Sequence, residues 1–158
     1  MAYRPKNNRQ EMNYTNKRCR WFKLSELLPP EIYKDEDHDW EILCDELKQT
    51  IDFCRDLFKM PLTINDWKNK GHRQYCGFRA KTCPVGAKFS AHKQGMAADI
   101  ISPKLSAKDM RKMLHENADK LPYKVRLEAN VSWLHIDVRT DGQTEKIREF
   151  KGEKNVLF

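Results

Sequence analysis

The sequence predicts an α+β fold: helices packed against a small antiparallel sheet. Three observations carry that expectation. Apolar residues recur at helical spacing between Asp37 and Lys59, a second helix opens at Ser106, and two alternating stretches near the C-terminus flank a short turn. At 158 residues the chain suits one domain with its own core. Residues 21–158 are read as that domain, and residues 1–20 as a basic N-terminal arm, solvated and partly disordered.

Taken in order, Trp21 to Leu28 carries Trp21, Phe22, Leu24, Leu27 and Leu28, with Ser25 as a cap and Pro29-Pro30 as a stop. From Asp37 to Lys59 the apolar positions are Trp40, Leu43, Cys44, Leu47, Ile51, Cys54 and Phe58. Their i, i+3, i+4, i+7 rhythm predicts an amphipathic helix, and Asp37, Asp39 and Glu41 near its start favour the dipole. Pro61 ends it, and Leu62-Thr63-Ile64 reads as a short strand. Residues 65–89 are loop-rich, and Ala97 to Ile101 is a further strand stopped by Pro103. Ser106-x-x-Asp109 resembles a capping box for a helix running to about Lys120, with Ala107, Met110, Met113, Leu114 and Ala118 on its apolar face. Tyr123 to Glu128 and Val131 to Arg139 then form a hairpin about Ala129-Asn130. In its second strand Ser132, Leu134, Ile136 and Val138 take one face, and Val131, Trp133, His135 and Asp137 the other. A histidine and an aspartate on one strand face imply either a lined cleft or an edge strand whose outer face meets water.

Composition narrows the functional classes. Hydrophobic residues make up 39% and charged residues 34%, and no apolar run reaches the ~20 residues of a membrane span. Residues 1–20 hold no apolar h-region, so the expectation is cytoplasmic synthesis without a signal peptide. Thirty Lys and Arg against 23 Asp and Glu give a net charge of +7, a surface that attracts polyanions such as nucleic acid, anionic membranes or wall polymers. No nucleic-acid motif accompanies the charge, so no specific nucleic-acid partner is expected. Cys19, Cys44, Cys54, Cys76 and Cys83 are an odd count that argues against a disulfide framework, and the Cys76–Cys83 spacing matches no common zinc pair.

The residues that carry chemistry lie between these elements. His92 and Asp99 are seven apart, which excludes one helical face but suits a loop folding back at Gly95 before a strand begins. With His135 they offer two nitrogens and one oxygen, and three protein ligands with an open fourth position is the arrangement of catalytic zinc. Scattered His and Asp are common in a chain this long, so chemistry alone also leaves them as ordinary structural residues.

The segment Ser90-x-His92-x-x-Gly95-x-Ala97-x-Asp99 resembles the signature of the zinc D-alanyl-D-alanine carboxypeptidase and L-alanyl-D-glutamate endopeptidase family, related in fold to the hedgehog signalling domain. Trp133-x-His135-x-Asp137 resembles its second element, and Gly77-Phe78-Arg79 the turn upstream of the first histidine. The match in order and spacing covers residues 62–139, and residues 57–67 look like phage-encoded members. The resemblance implies a hedgehog-like fold with His92, Asp99 and His135 as zinc ligands. It gives Arg79 the task of meeting a substrate carbonyl or terminal carboxylate, though an ion-pair role for that arginine stays open. Many members carry a general-base Glu where this chain has Ser132, so Glu128 is the nearest acid. A tight two-residue turn would pair Glu128 with Val131 and leave it about 13 Å from His135 at ~3.3 Å per residue; a wider loop would bring it nearer. Asp137 is the fallback base, or else the group that orients a metal-binding histidine.

The resemblance thus implies a zinc metallopeptidase that hydrolyses amide bonds in peptidoglycan stem peptides; the expected state is a monomer. Its phage-like segment, basic charge and lack of a leader suit a lysis enzyme of the endolysin kind, acting on the cell wall after release by another protein. The alternative is a non-catalytic zinc-binding domain of the same fold that recognises wall peptides or a protein partner.

Overall fold

The computed structural model describes residues 11–152. The first ten residues of the basic arm lie outside them. Residues 11–20 form no helix or strand but run along the first long helix, α1 (Asp45–Phe58). Asn13 and Thr15 are bound to Glu46 and Asp45, and the Arg20 and Trp21 backbone N–H groups donate to Asp52. Half of the arm is therefore packed onto the domain.

The helix begins eight residues later than its apolar rhythm predicts, for a tertiary reason. The Cys44 N–H donates to the carbonyl of Gly95 at 3.0 Å, which holds Cys44 extended. Trp40–Ile42 instead makes one 3₁₀ turn after Asp39, whose φ is +78°. Trp40, Leu43 and Cys44 still reach the core, beside Leu47, Ile51, Cys54 and Phe58. Lys59, at φ +56°, closes the helix two residues before Pro61. Near the start of the domain, Leu24–Glu26 is a single 3₁₀ turn. Ser25 lies inside it rather than capping it, and its N–H donates to Glu36. The second helix, α2 (Ala107–Glu116), opens as the sequence predicts: the Ser106 hydroxyl accepts from the Asp109 N–H at 3.0 Å. It ends four residues early, and Ala118–Lys120 continues as a 3₁₀ turn.

Four strands form one sheet in the order β1-β3-β2-β4: β1 is Ala97–Ile100, β2 Val125–Ala129, β3 Leu134–Asp137 and β4 Ile147–Lys151. Leu62–Ile64 contributes only an isolated bridge, Thr63 to Ile101. The sheet is mixed, not purely antiparallel as the sequence predicts. β3 pairs antiparallel with β1 and β2, but β4 skips past β2 to its outer edge and runs parallel to it.

Period-two alternation sorts the sheet into a core face and a site face. Ala98, Ile100, Val125, Leu127, Leu134 and Ile136 are fully buried in the core cluster that takes in α1 together with Met110 and Leu114 of α2. At roughly 1.5–3 kcal/mol for each large apolar side chain removed from water, this layer fixes the register of all three antiparallel-paired strands. Asp99, His135, Asp137, Arg126 and Glu128 consequently share the opposite face. No helix among the described residues is long and apolar enough to cross a membrane. All five cysteines are free thiols.

Candidate metal centre

Three backbone features bring the ligand set together. Asp99 stands directly across from His135 in the β1–β3 register. His92 comes from a 3₁₀ turn, Ala91–Gln94, whose first residue is preceded by Ser90; the Ser90 hydroxyl accepts from the His92 N–H at 3.2 Å. Gly95 then turns the chain at φ +70°, and a Cβ there would overlap the Ile42 carbonyl oxygen. That close approach, with the Cys44–Gly95 hydrogen bond, is the fold-back the spacing of His92 and Asp99 requires.

The result is a buried cluster. His92, Asp99 and His135 are only 3%, 7% and 7% exposed, and one ligand atom from each lies within 4.8 Å of the others. These residues could hold a metal ion. The hydrogen bonds around them fit one. His92 Nδ1 donates to the Gly77 carbonyl at 2.8 Å, which leaves Nε2 facing Asp99 Oδ1 at 3.2 Å. His135 Nε2 donates to Asp137 Oδ2 at 2.9 Å, which leaves Nδ1 facing the same Asp99 oxygen at 2.9 Å. With both imidazoles neutral, two nitrogen lone pairs and a carboxylate oxygen converge on one point. Such a concentration of electron pairs is stable around a cation or around added protons.

The metal-free electrostatics show the proton alternative. Burial alone would lower the His135 pKa, but hydrogen bonds to Asp137 and Asp99 and their charges raise it to about 9. Burial alone would likewise raise the Asp99 pKa, but the charge of His92 and the hydrogen bonds from both histidines hold it far below the usual carboxylate range. A metal ion would take the place of the proton on His135 Nδ1.

Asp137 is 0% exposed and fully occupied. Arg126 grips it through Nε and Nη2, both at 2.9 Å; His135 Nε2 donates to it, and so does the Arg139 N–H at 3.1 Å. Its ionised state withstands burial because of His135 and Arg126, which hold its pKa down. With its oxygens committed in this way, Asp137 is placed to hold the orientation of the His135 ring.

Glu128 does come to the site. Arg126 lies across from Asp137 and Leu127 across from Ile136, so Glu128 follows the last pair on the His135 side and lines the same cavity as His92, Asp99 and His135. The connection between the strands is a four-residue loop, 130–133, with Asn130 at φ +62°. Arg111 of α2 stabilises it, donating to the carbonyls of Glu128 and Val131 at 3.4 and 3.3 Å. The Glu128 carboxylate occupies space that a Cβ on Gly152 would fill.

A cavity of about 650 Å³ opens over the cluster, lined by Arg79, Glu128, Trp133, Arg139 and Phe150 among others. Arg79 is nearly buried; its Nε donates to the Tyr75 carbonyl at 2.6 Å and its Nη2 to Asp99 Oδ2 at 3.3 Å. Gly86, at φ +82°, leaves room for Arg79 Nη1. Trp133 lines the same cavity, and its buried Nε1–H has no acceptor among the described residues. Ser132, at the position where many members of the resembled family carry their acid, is exposed in the loop.

Two residues of the site, Arg126 and Phe150, are not singled out by any sequence pattern. Phe150 on β4 stands across from Glu128, its ring edge-on to His135 at 5.7 Å and under the Arg126 guanidinium at 4.5 Å. Alternation in 125–128 places Arg126 and Glu128 on one face, a signal that becomes usable once the register is known. Set against family models, curated proteins and solved structures, the chain matches none of them.

Proposed function

We propose that this protein is a zinc-dependent peptidase that hydrolyses amide bonds in bacterial peptidoglycan stem peptides. The observation that carries the reading is the convergence of His92 Nε2, His135 Nδ1 and Asp99 Oδ1 on one point in the wall of an open cavity lined by charged and aromatic side chains. Motif resemblance over residues 62–139 supports the choice of zinc and of a wall-peptide substrate. A divalent ion held by these three residues supplies Lewis acidity, which polarises a carbonyl and acidifies water.

The chain's own groups then divide the work. Glu128, beside His135 and open to the cavity, accepts a proton from water as its oxygen attacks the amide carbon. It returns that proton to the amide nitrogen as the C–N bond breaks, so the products are a carboxylic acid and an amine. Arg79, anchored through Nε to the Tyr75 carbonyl and through Nη2 to Asp99, offers Nη1 to the carbonyl oxygen where negative charge develops. Trp133 Nε1–H is a spare donor for a peptide carbonyl. Asp137 and Arg126 hold the His135 ring so that Nδ1 stays unprotonated and directed inward. The phage-lysis context is part of the same proposal, as is a monomeric enzyme that reaches the wall after release.

The test is incubation of zinc-loaded protein with purified peptidoglycan and defined stem peptides, reading product masses, beside Glu128→Gln. Cleavage by the wild type, lost by a factor of about 10²–10⁴ in the variant with zinc retained, is the expected result. Wild-type rates in Glu128→Gln would remove Glu128 as the base. Zinc binding with no cleavage of any wall peptide would favour a recognition domain.

A further inference from the structure

Buried charged groups at the start of α1 seat the described part of the basic arm. Asp45, Glu46 and Lys48 are all buried, and Asp45 and Lys48 pair at 3.0 Å. The Asn13 N–H donates to the two Glu46 oxygens at 3.0 and 3.1 Å, and the Thr15 hydroxyl donates to Asp45 at 2.8 Å. Lys48 Nζ in turn donates to the Thr15 carbonyl at 2.7 Å. Buried charges stripped of such partners are costly, so residues 13–15 act as a strap fastened to the helix. Two adjacent N–H groups of α1's first turn then go to different segments. The Asp45 N–H donates to the Asn13 carbonyl at 2.6 Å, and the Cys44 N–H to the Gly95 carbonyl. Strap and His92 turn are thus bound to neighbouring residues of one helix. Tyr14 joins them directly, its hydroxyl donating to the Gln94 carbonyl at 2.8 Å.

The three ligand residues are not held alike. Asp99 and His135 stand on paired strands, whereas His92 stands on the single 3₁₀ turn Ala91–Gln94. A helical turn this short has little stability of its own and depends on its contacts. We infer that Tyr14 is a positioning residue for the metal centre: it latches the Ala91–Gln94 turn, and a metal ion enters or leaves by release of that turn with His92. The inference rests on the metal-centre reading above and makes the N-terminal strap part of the site's architecture.

Amide hydrogen exchange of the metal-free protein and zinc release into excess chelator are the two readouts. Tyr14→Phe keeps the ring and removes the hydroxyl. The Gly95 and Met96 N–H groups close the turn on the His92 and Ala91 carbonyls. Their exchange should quicken about three- to tenfold in Tyr14→Phe, the range for loss of one hydrogen bond, and zinc release should quicken by a similar factor. Met110→Ala, which removes core packing from α2, should quicken exchange at Ile51 of α1 yet leave both turn amides and zinc release within about twofold of wild type. Wild-type rates in Tyr14→Phe, or an equal effect from Met110→Ala, would overturn the inference and reduce Tyr14 to a general contribution to stability. Wild-type protein alone supplies a second check if Tyr14→Phe folds poorly. Its turn amides should open at no lower free energy than the Asp45 amide, which is bound to the strap; a turn that opens first, with the strap in place, would overturn the latch. A wild type that takes up no zinc contradicts the metal-centre reading, and the exchange rates then decide the latch by themselves.

Discussion

Replacement of Asp137 by Asn removes one charge and alters no shape, so its effect is governed by the hydrogen bonds around the carboxylate. That group accepts from Arg126 twice, from His135 Nε2 and from the Arg139 N–H. An amide offers one acceptor oxygen. If that oxygen faces His135, the NH₂ group meets Arg126 Nε and the Arg139 N–H, donor against donor. If it is flipped, the NH₂ group meets His135 Nε2 and drives the ring proton to Nδ1, the atom that faces Asp99. Either outcome weakens the centre, and loss of such an orienting carboxylate costs about 10–100-fold in metal affinity. The fold suffers as well. Breaking a buried ion pair from one side costs roughly 3–5 kcal/mol, and Arg126 is partly solvated, so about 3 kcal/mol is expected. Zinc affinity by competition with a chromophoric chelator and urea unfolding of the metal-free protein measure the two effects. Zinc affinity of Asp137→Asn within twofold of wild type would refute the orienting role, while Ser132→Ala, altering an exposed loop residue, should leave it unchanged.

Other consequences are as direct. In the metal-free protein the His135 pKa is raised to about 9 from 6.5, so its contribution to stability is complete below about pH 6.5 and disappears as pH rises through 9. Urea midpoints of chelator-treated protein should therefore fall across that window, whereas zinc affinity should rise over it because the ion displaces the proton; a flat affinity profile would contradict the assignment of His135 Nδ1. Gly95→Ala forces an L side chain into φ +70° against the Ile42 carbonyl, and the conformational term alone is about 1–2 kcal/mol. Unfolding midpoint and zinc affinity should drop together, since the same turn carries His92. Ile136→Ala, in the core face between Ala98 and Leu127, should cost about 2–5 kcal/mol while zinc stoichiometry stays at the wild-type value in the folded protein. An unfolding free energy within 1 kcal/mol of wild type would show that this face does not set the register.

Legibility in the sequence followed the range of the forces involved. His92, Gly95 and Asp99 form a local unit, and their turn was predictable because a glycine and a following strand encode it within eight residues. The separation of His135 and Asp137 from Leu134 and Ile136 came from strand alternation. Glu128 was reachable only by register, and the turn that follows it is held from α2 by Arg111, which donates to the carbonyls of Glu128 and Val131. No local pattern in residues 129–133 encodes that long-range contact. The strand β4 has no two-residue rhythm: Ile147 and Phe150 fall on opposite parities, and its place beside β2 comes from a nine-residue connection after β3. The onset of α1 was misplaced because Trp40, Leu43 and Cys44 have helical spacing, yet the Cys44–Gly95 hydrogen bond draws the backbone out of the helix.

Metal content measured together with peptide hydrolysis, on wild type and His92→Ala, tests the central claim most directly. About one zinc per chain in the wild type, cleavage of stem peptides at one defined bond, and loss of both in His92→Ala are the predicted results. A wild-type protein that binds no divalent metal under any loading condition would contradict the account at its root.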